Sequence, residues 1–439
     1  MINPHDEATR VVAIARYEVG ERDDLIADFT IAAQARGGIT TNTPATFATG
    51  YGNPGGSLVR PLEPYALEVR SERPIAATFS YFDTFLLGGE EAAVGESFTA
   101  TTSDTWTFAS VGKADGRFDF PVYINTSDAP VKVTTTLLPT GGGDEIVLTQ
   151  ELGAHRRGGW NLSSIDSIPD GEYGMVVEAA GQIVASLSSY DDGTTSGRIS
   201  ATGAVGFAGL GSVSGATPEG EIGLNSTEEV VGITNANTAK TSVTLSFLFQ
   251  SGSAYRTKVD VAARGRAELD VASLPNFPSG EPYSIAYSAT LPVALSLPTL
   301  IFEDGASSAF SQDAYTLWAF GAGFRPMDGT PQVVTEYLRI FNPSDTDVVI
   351  EITVRFDGNF KGTNVPLGQE TFRKVVPARR VAEFDIHEFV TGDRRIQDTF
   401  YGVTVKGASP IVAYLGRYDS FFPGAFGTLG VPVGTTSSI

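Results

Sequence analysis

The chain has 439 residues, beyond the size at which one hydrophobic core usually splits into units of roughly 100–150 residues, so several domains are expected. Its 51 acidic and 30 basic side chains give a formal charge of −21, which disfavours a nucleic-acid role, and the lack of cysteine removes disulfides and thiolate chemistry. Charged residues make up only 18% against 49 glycines, a profile of strands joined by tight turns, and the longest apolar stretch, Leu291 to Phe302, is broken by two prolines and is too short to span a membrane.

From the amino terminus, Met1 to Asp6 runs directly into a strand-like segment, RVVAIARYEVG, with no basic stretch followed by an apolar core. No secretory leader is therefore expected within the chain, which either works in the cytosol or has had its leader removed. Asn3 opens a polar turn before that strand, and the pattern returns at Asn125, Asn235 and Asn342. Asparagine suits the turn because its side chain bonds nearby backbone groups. A second landmark begins at Ala33, Ala154, Ala263 and Ala378, and a third at Tyr65, Tyr173, Tyr283 and Tyr401.

The tyrosines are 108, 110 and 118 residues apart, close to the length of one β-sandwich domain of about 100 residues. Each tyrosine block alternates over about five positions, breaks at polar residues, and resumes as an apolar run, after Pro74, Pro292 or Pro410 in three copies. That reads as a β-hairpin. The order of landmarks holds in all four copies. The fold class is thus all-β, with four tandem immunoglobulin-like sandwich repeats of about 100–120 residues at 1–103, 104–214, 215–313 and 314–439.

The copies also differ. Repeat 1 carries an inserted loop over 42–57, where Phe47 and Tyr51 are the candidates for contact with a carbohydrate or surface receptor. Repeats 2 and 4 have a segment with Trp106 or Trp318 upstream of the asparagine that would add a strand, and repeat 1 has no room for one. A spare apolar tail, FFPGAFGTLGVPVGTTSSI, follows the last tyrosine block. Either it completes repeat 1 of another molecule by strand addition, or it folds back on its own repeat. The Gly- and Ser-rich connectors GGEEAAVGES, GFAGLGSVSGATPEG and FEDGASSAFSQD read as linkers, which leaves a rigid rod or a flexible string.

The chain carries no G-x-S-x-G, P-loop or H-E-x-x-H motif, and His5, His155 and His387 belong to different repeats. No enzyme, catalytic residue or organic cofactor is expected. Asp83, Asp191 and Asp419 follow aromatic residues at equivalent positions, where they would cap turns or, as the alternative, contribute to Ca2+ sites between domains. Arg157, Arg266 and Arg380 are expected on a solvated strand face or in cross-strand ion pairs rather than on anionic sugars. Trp106, Trp160 and Trp318 are expected in the core.

The N-P-S/T-x-D opening, the mid-repeat arginine and the closing P-I-V-A run resemble the immunoglobulin-like sandwich repeats of large bacterial and archaeal surface proteins. The resemblance covers all four copies. It implies extracellular or cell-surface display, self-association and a structural role as a surface-layer, filament or stalk component, and it brings no catalytic residues. A carbohydrate- or receptor-binding adhesin, an accessory module of a secreted hydrolase and a virion structural protein are the alternatives.

Overall fold

The structure, a computed structural model, describes residues 1–20, 24–41, 57–60, 63–83, 92–194, 199–301, 304–330, 333–356, 368–396, 398–419 and 424–439. The fold is all-β, built from antiparallel sheets, and the described residues include no α-helix. Repeat 1 contributes β1 (Thr9–Tyr17), β2 (Asp24–Ile31), β3 (Tyr65–Ser71), β4 (Thr78–Asp83) and β5 (Ala92–Ser97). Repeat 2 runs through β6 (Ser103–Lys113), β7 (Arg117–Asn125), β8 (Val131–Pro139), β9 (Ile146–Leu152), β10 (Arg157–Gly159), β11 (Gly171–Asp192), β12 (Ile199–Val205) and β13 (Phe207–Ala208). Repeat 3 comprises β14 (Ser212–Gly220), β15 (Ser226–Asn235), β16 (Thr241–Phe249), β17 (Ala254–Val261), β18 (Gly265–Asp270), β19 (Tyr283–Ile301) and β20 (Asp304–Ala309). Repeat 4 holds β21 (Asp313–Phe320), β22 (Phe324–Arg325), β23 (Val334–Phe341), β24 (Val348–Phe356), β25 (Gly368–Val376), β26 (Val381–Asp385), β27 (Thr399–Asp419), β28 (Gly424–Leu429) and β29 (Val431–Ser438).

The expected hairpin at the tyrosine is one long strand in repeats 2 to 4. The first half of β11 lies between β8 and β6, and its second half between β7 and β12. β19 does the same with β16 and β14, then β15 and β20, and β27 with β24 and β21, then β23 and β28. The polar break is therefore where the strand crosses from one sheet of a sandwich to the other; in β11 the register slips there, between Glu178 and Ile183. Such corners are made by bulges, and Pro292 and Pro410 are tolerated there because the ladder is interrupted.

Alternation fills the cores. In β16, Val243, Leu245, Phe247 and Phe249 are fully buried while the residues between them face outward. Trp106 and Trp318 are 1% exposed, and their indole N–H groups donate to the Ile183 and Ile411 carbonyls at 3.0 and 2.7 Å. Trp160 packs half-buried against the core of repeat 2. The landmark asparagines hold the expected turns, each accepting the N–H two residues on at 2.9 to 3.1 Å, and all four are fully buried. Each donates its amide to the carbonyl four residues on, at 2.8 to 2.9 Å, and to a neighbouring turn, as Asn125 does to the Gly153 carbonyl. That turn carries a left-handed residue in every copy, Gln34, His155, Arg264 and Arg379, with φ between 47° and 54°.

The connectors are strands, not linkers. β5 packs on β12, β12 on β20, β20 on β28, and β28 back on β5, so the four repeats close into a ring with pseudo-fourfold symmetry instead of a rod or string. The small residues of AAVGES, ISATGAV, DGASSA and GAFGTL let four backbones converge. A Cβ on Gly95 would come within 2.5 Å of the Phe426 ring, and one on Gly203 within 2.7 Å of Val94. The divisions at 103/104, 214/215 and 313/314 accordingly fall at the start of β6, β14 and β21, each of which enters the next sandwich.

Repeat 1 closes against repeat 4. The Met1 amino group and the Arg36 guanidinium both donate to the Gly321 carbonyl, and Ile2, Ala76 and Ala319 share a small core. The tail folds back, with β28 pairing with β27 and β29 with β21. Among the described residues repeat 1 has no counterpart of β6, and that of β7 is reduced to Ile2, which bridges Ala76 and Arg36. Leu67 and Val69 of β3 are consequently half-buried, whereas Met175 and Val177 in the same places of β11 are fully buried.

Candidate functional site

The surfaces where repeats meet hold the polar chemistry of this molecule. On the ring axis, Asp304 begins β20 where the sister strands carry Ala92, Ser200 and Gly424. Its carboxylate, on a residue only 4% exposed, accepts the N–H groups of Gly305 (2.6 Å) and Ala201 (3.1 Å) on one oxygen and of Ala425 (2.7 Å) and Ala93 (3.4 Å) on the other. These donors occupy the same position in each ring strand, one per repeat. Burial pushes the Asp304 carboxyl up to about 7, and the four amide bonds pull the other way.

Between repeats 3 and 4 the contact is a buried charge network. Arg339, 1% exposed, donates to the Glu221 carboxylate (2.9 Å), the Glu383 carboxylate (2.7 Å) and the Glu219 carbonyl (2.6 Å). Tyr414 and Tyr418 donate their hydroxyls to Glu219 and Glu221 at 2.8 and 2.9 Å. Behind them Glu229 accepts the Glu221 N–H at 2.6 Å and the Tyr283 hydroxyl, and burial pushes its carboxyl up to about 8. Glu336 repeats this role in repeat 4, bonded to the Phe324 N–H and the Tyr401 hydroxyl.

The equivalent place between repeats 2 and 3 carries no such charge network. Counting from the aligned asparagines and tyrosines, and from the pairing of Val111 with Tyr173 and Gly220 with Tyr283, the counterparts of Glu219, Arg339 and Tyr414 are Ser110, Gly232 and Ser296. These small residues pack against one another, a Cβ on Gly232 lying 3.3 Å from the Ser296 hydroxyl and 3.4 Å from Ser110, and beside them runs a cleft of about 450 Å³. Arg266, 2% exposed, forms part of its lining and donates to the Ala109 carbonyl (3.2 Å), the hydroxyls of Thr140 and Ser110 (both 3.1 Å) and Glu268 (2.7 Å). Arg117 pairs with Asp119 at 2.9 Å and with Glu172, whose carboxyl burial raises against the pull of the two arginines.

No family model matches the chain, and no curated protein matches it. Among solved structures, a Thermotoga maritima protein described as 1070 aligns at 18% identity over 24% of this chain and 95% of its own, with a TM-score of 0.22. The Anabaena sensory rhodopsin transducer aligns at 24% identity over 23% of this chain and 87% of its own, with a TM-score of 0.19. A tetra-tandem repeat from the extending region of a large adhesion protein spans 100% of this chain and 92% of its own at 10% identity and a TM-score of 0.12. Likenesses at these scores say nothing about what this chain binds or does.

Phe47 and Tyr51 lie outside the described residues. Asp83 ends β4. Asp191 caps a turn, accepting the Gly193 N–H at 2.8 Å, and lies in the lining of the cleft; Asp419 is buried 3.6 Å from Arg417. Asp83 and Asp419 end the last strand before the ring in their repeats, and Asp191 is next to last in that of repeat 2. Among the described residues no group of three or more histidines and carboxylates is arranged to hold a metal. Arg157 pairs with Glu18 of repeat 1 and Arg266 with Glu268, while Arg380 lies against Gly252 of repeat 3. Asp304, Glu219, Glu221 and Arg339 escape a sequence reading. Asp304 and Glu219 lie in segments that read as linkers, Glu221 just after one, and their signal is a carboxylate at the edge of a Gly/Ala-rich run.

Proposed function

We propose that this chain is a non-enzymatic structural protein that works outside the cell or at its surface, as a rigid scaffold and a subunit of a larger layer, filament or stalk. The observation that carries the reading is the closed ring of four sandwich repeats locked at its axis by Asp304, in which the buried charges bind repeat to repeat. The resemblance of the repeat landmarks to immunoglobulin-like surface repeats supports the location. Because β28 and β29 pair inside the molecule, the tail is not the donor for assembly between copies. We assign that contact to the edge of β3, where Leu67 and Val69 stay half-buried, by strand addition from a second copy.

Negative-stain electron microscopy of the purified chain over a range of concentrations tests this. Filaments, sheets or paired particles that disappear in Val69→Lys are expected. Dispersed single particles at every concentration would remove self-assembly from the account.

A further inference from the structure

We infer that the open edge of β3 pairs with β3 of a second copy, antiparallel and about a two-fold axis at Val69. This rests on the strand-addition reading above and names the partner strand and its register. β3 is the outer strand of the three-stranded sheet β2-β1-β3. The Glu72 N–H donates to the Arg10 carbonyl at 3.2 Å, and further along Val12 lies opposite Arg70, Ile14 opposite Glu68 and Arg16 opposite Ala66. Bonded and non-bonded pairs alternate along an antiparallel ladder. Glu68 and Arg70 therefore bond to β1, while Leu67, Val69 and Ser71 turn their N–H and C=O groups to the open edge. Such a row of groups is a template for another strand. Repeat 4 shows the room for it: there the long strand β27 is followed in the same sheet by β21 and β29, the places that β3 and β1 of a second copy take in repeat 1.

The side chains set the register. Successive residues of a strand face opposite sides. Leu67 and Val69 belong to the core side. Glu68 and Arg70 belong to the outer side, where Glu68 pairs with Arg16 and with Arg70, and Arg70 is 60% exposed. A two-fold axis at Val69 places each Glu68 opposite the other copy's Arg70, so the four side chains alternate in sign, and Val69 meets its own counterpart. An axis one residue away sets Glu68 against Glu68 or Arg70 against Arg70, and like charges directly opposite are destabilising. The free edge of β17 shows the reverse case: self-pairing about Thr257 sets the exposed Arg256 against the exposed Lys258. β3 thus favours a copy of itself where β17 repels one. A two-fold contact closes on itself, so the unit that enters a layer or filament is a pair of rings.

Sedimentation velocity on the full chain, from dilute to millimolar solution, is the test. The native chain is expected to form pairs. Arg70→Glu sets a second carboxylate opposite Glu68, and Glu68→Arg sets a second guanidinium opposite Arg70, so each variant alone is expected to pair at least about tenfold more weakly. An equal mixture of the two makes every opposed pair opposite in sign and is expected to pair at least about tenfold more tightly than either alone. Melting temperatures establish that each variant is folded before mixing; Arg70→Glu keeps the Arg16–Glu68 pair and carries the test alone if Glu68→Arg does not fold. Native pairs that Arg70→Glu leaves intact, or a mixture no tighter than its components, would overturn this register and leave strand addition at β3, which Val69→Lys reports separately. A native chain that stays single at every concentration, or pairs that survive Val69→Lys, would overturn both.

Discussion

Asp304 concentrates at one side chain what usually takes a whole interface. Each of the four amides it accepts is buried, and a buried N–H without a partner costs about 1–3 kcal/mol. Asp304→Ala leaves these donors unmatched and is expected to lower stability by about 3 kcal/mol or more, measured by denaturant unfolding. Asp304→Asn is expected to be nearly as harmful, since its NH2 faces N–H donors. An effect within about 0.5 kcal/mol for both, the size of an ordinary surface change, would contradict the role given to it. The residue was not legible in sequence because its partners Ala93, Ala201 and Ala425 lie more than 100 residues away in three other repeats. Glu229 carries a pH signature. Its folded carboxyl is pushed up to about 8 from an ordinary value of 4.5, so the folded state holds a proton that the unfolded chain has released. The stability it contributes is complete below about 4.5 and is lost as pH rises through about 8. Melting temperatures across that window should fall for the native chain and fall less for Glu229→Gln; parallel profiles would show that Glu229 does not titrate there.

At the scale of elements, the repeat was readable and its geometry was not. The asparagines recur because each clamps a turn, and the alanines mark the turn whose next residue is left-handed, Gln34, His155, Arg264 or Arg379. The polar break after each tyrosine was misread because a turn and a sheet-crossing bulge have the same local pattern of apolar, polar and apolar runs. Ring strands β5 and β20 were misread because a flexible linker and a strand pressed against its neighbours share a composition of Gly, Ala and Ser. Space separates the two cases. In a linker a new methyl group is harmless, whereas in the ring Gly95→Ala meets the Phe426 ring at 2.5 Å and is expected to cost about 1–3 kcal/mol by overpacking. Gly38→Ala, with nothing within 4 Å of its Cβ, is the matched control. Equal melting temperatures for the two variants would mean that β5 is not packed against β28.

For the whole molecule, the physical question is what a chain with four sandwiches gains by closing on itself. An open row would expose the edges of repeats 1 and 4 that here meet, where Met1 and Arg36 donate to the Gly321 carbonyl, and would undo the axial contact of Asp304 with Ala93. Closure buries them and ties all four repeats to one another, which a scaffold requires. It also makes the molecule compact, and that is directly measurable. Small-angle X-ray scattering on the dilute, monomeric chain should give a radius of gyration of about 22 Å, as for a single compact body of this length. A value of roughly 40 Å, that of four such domains in line, would contradict the closed ring and the reading built on it.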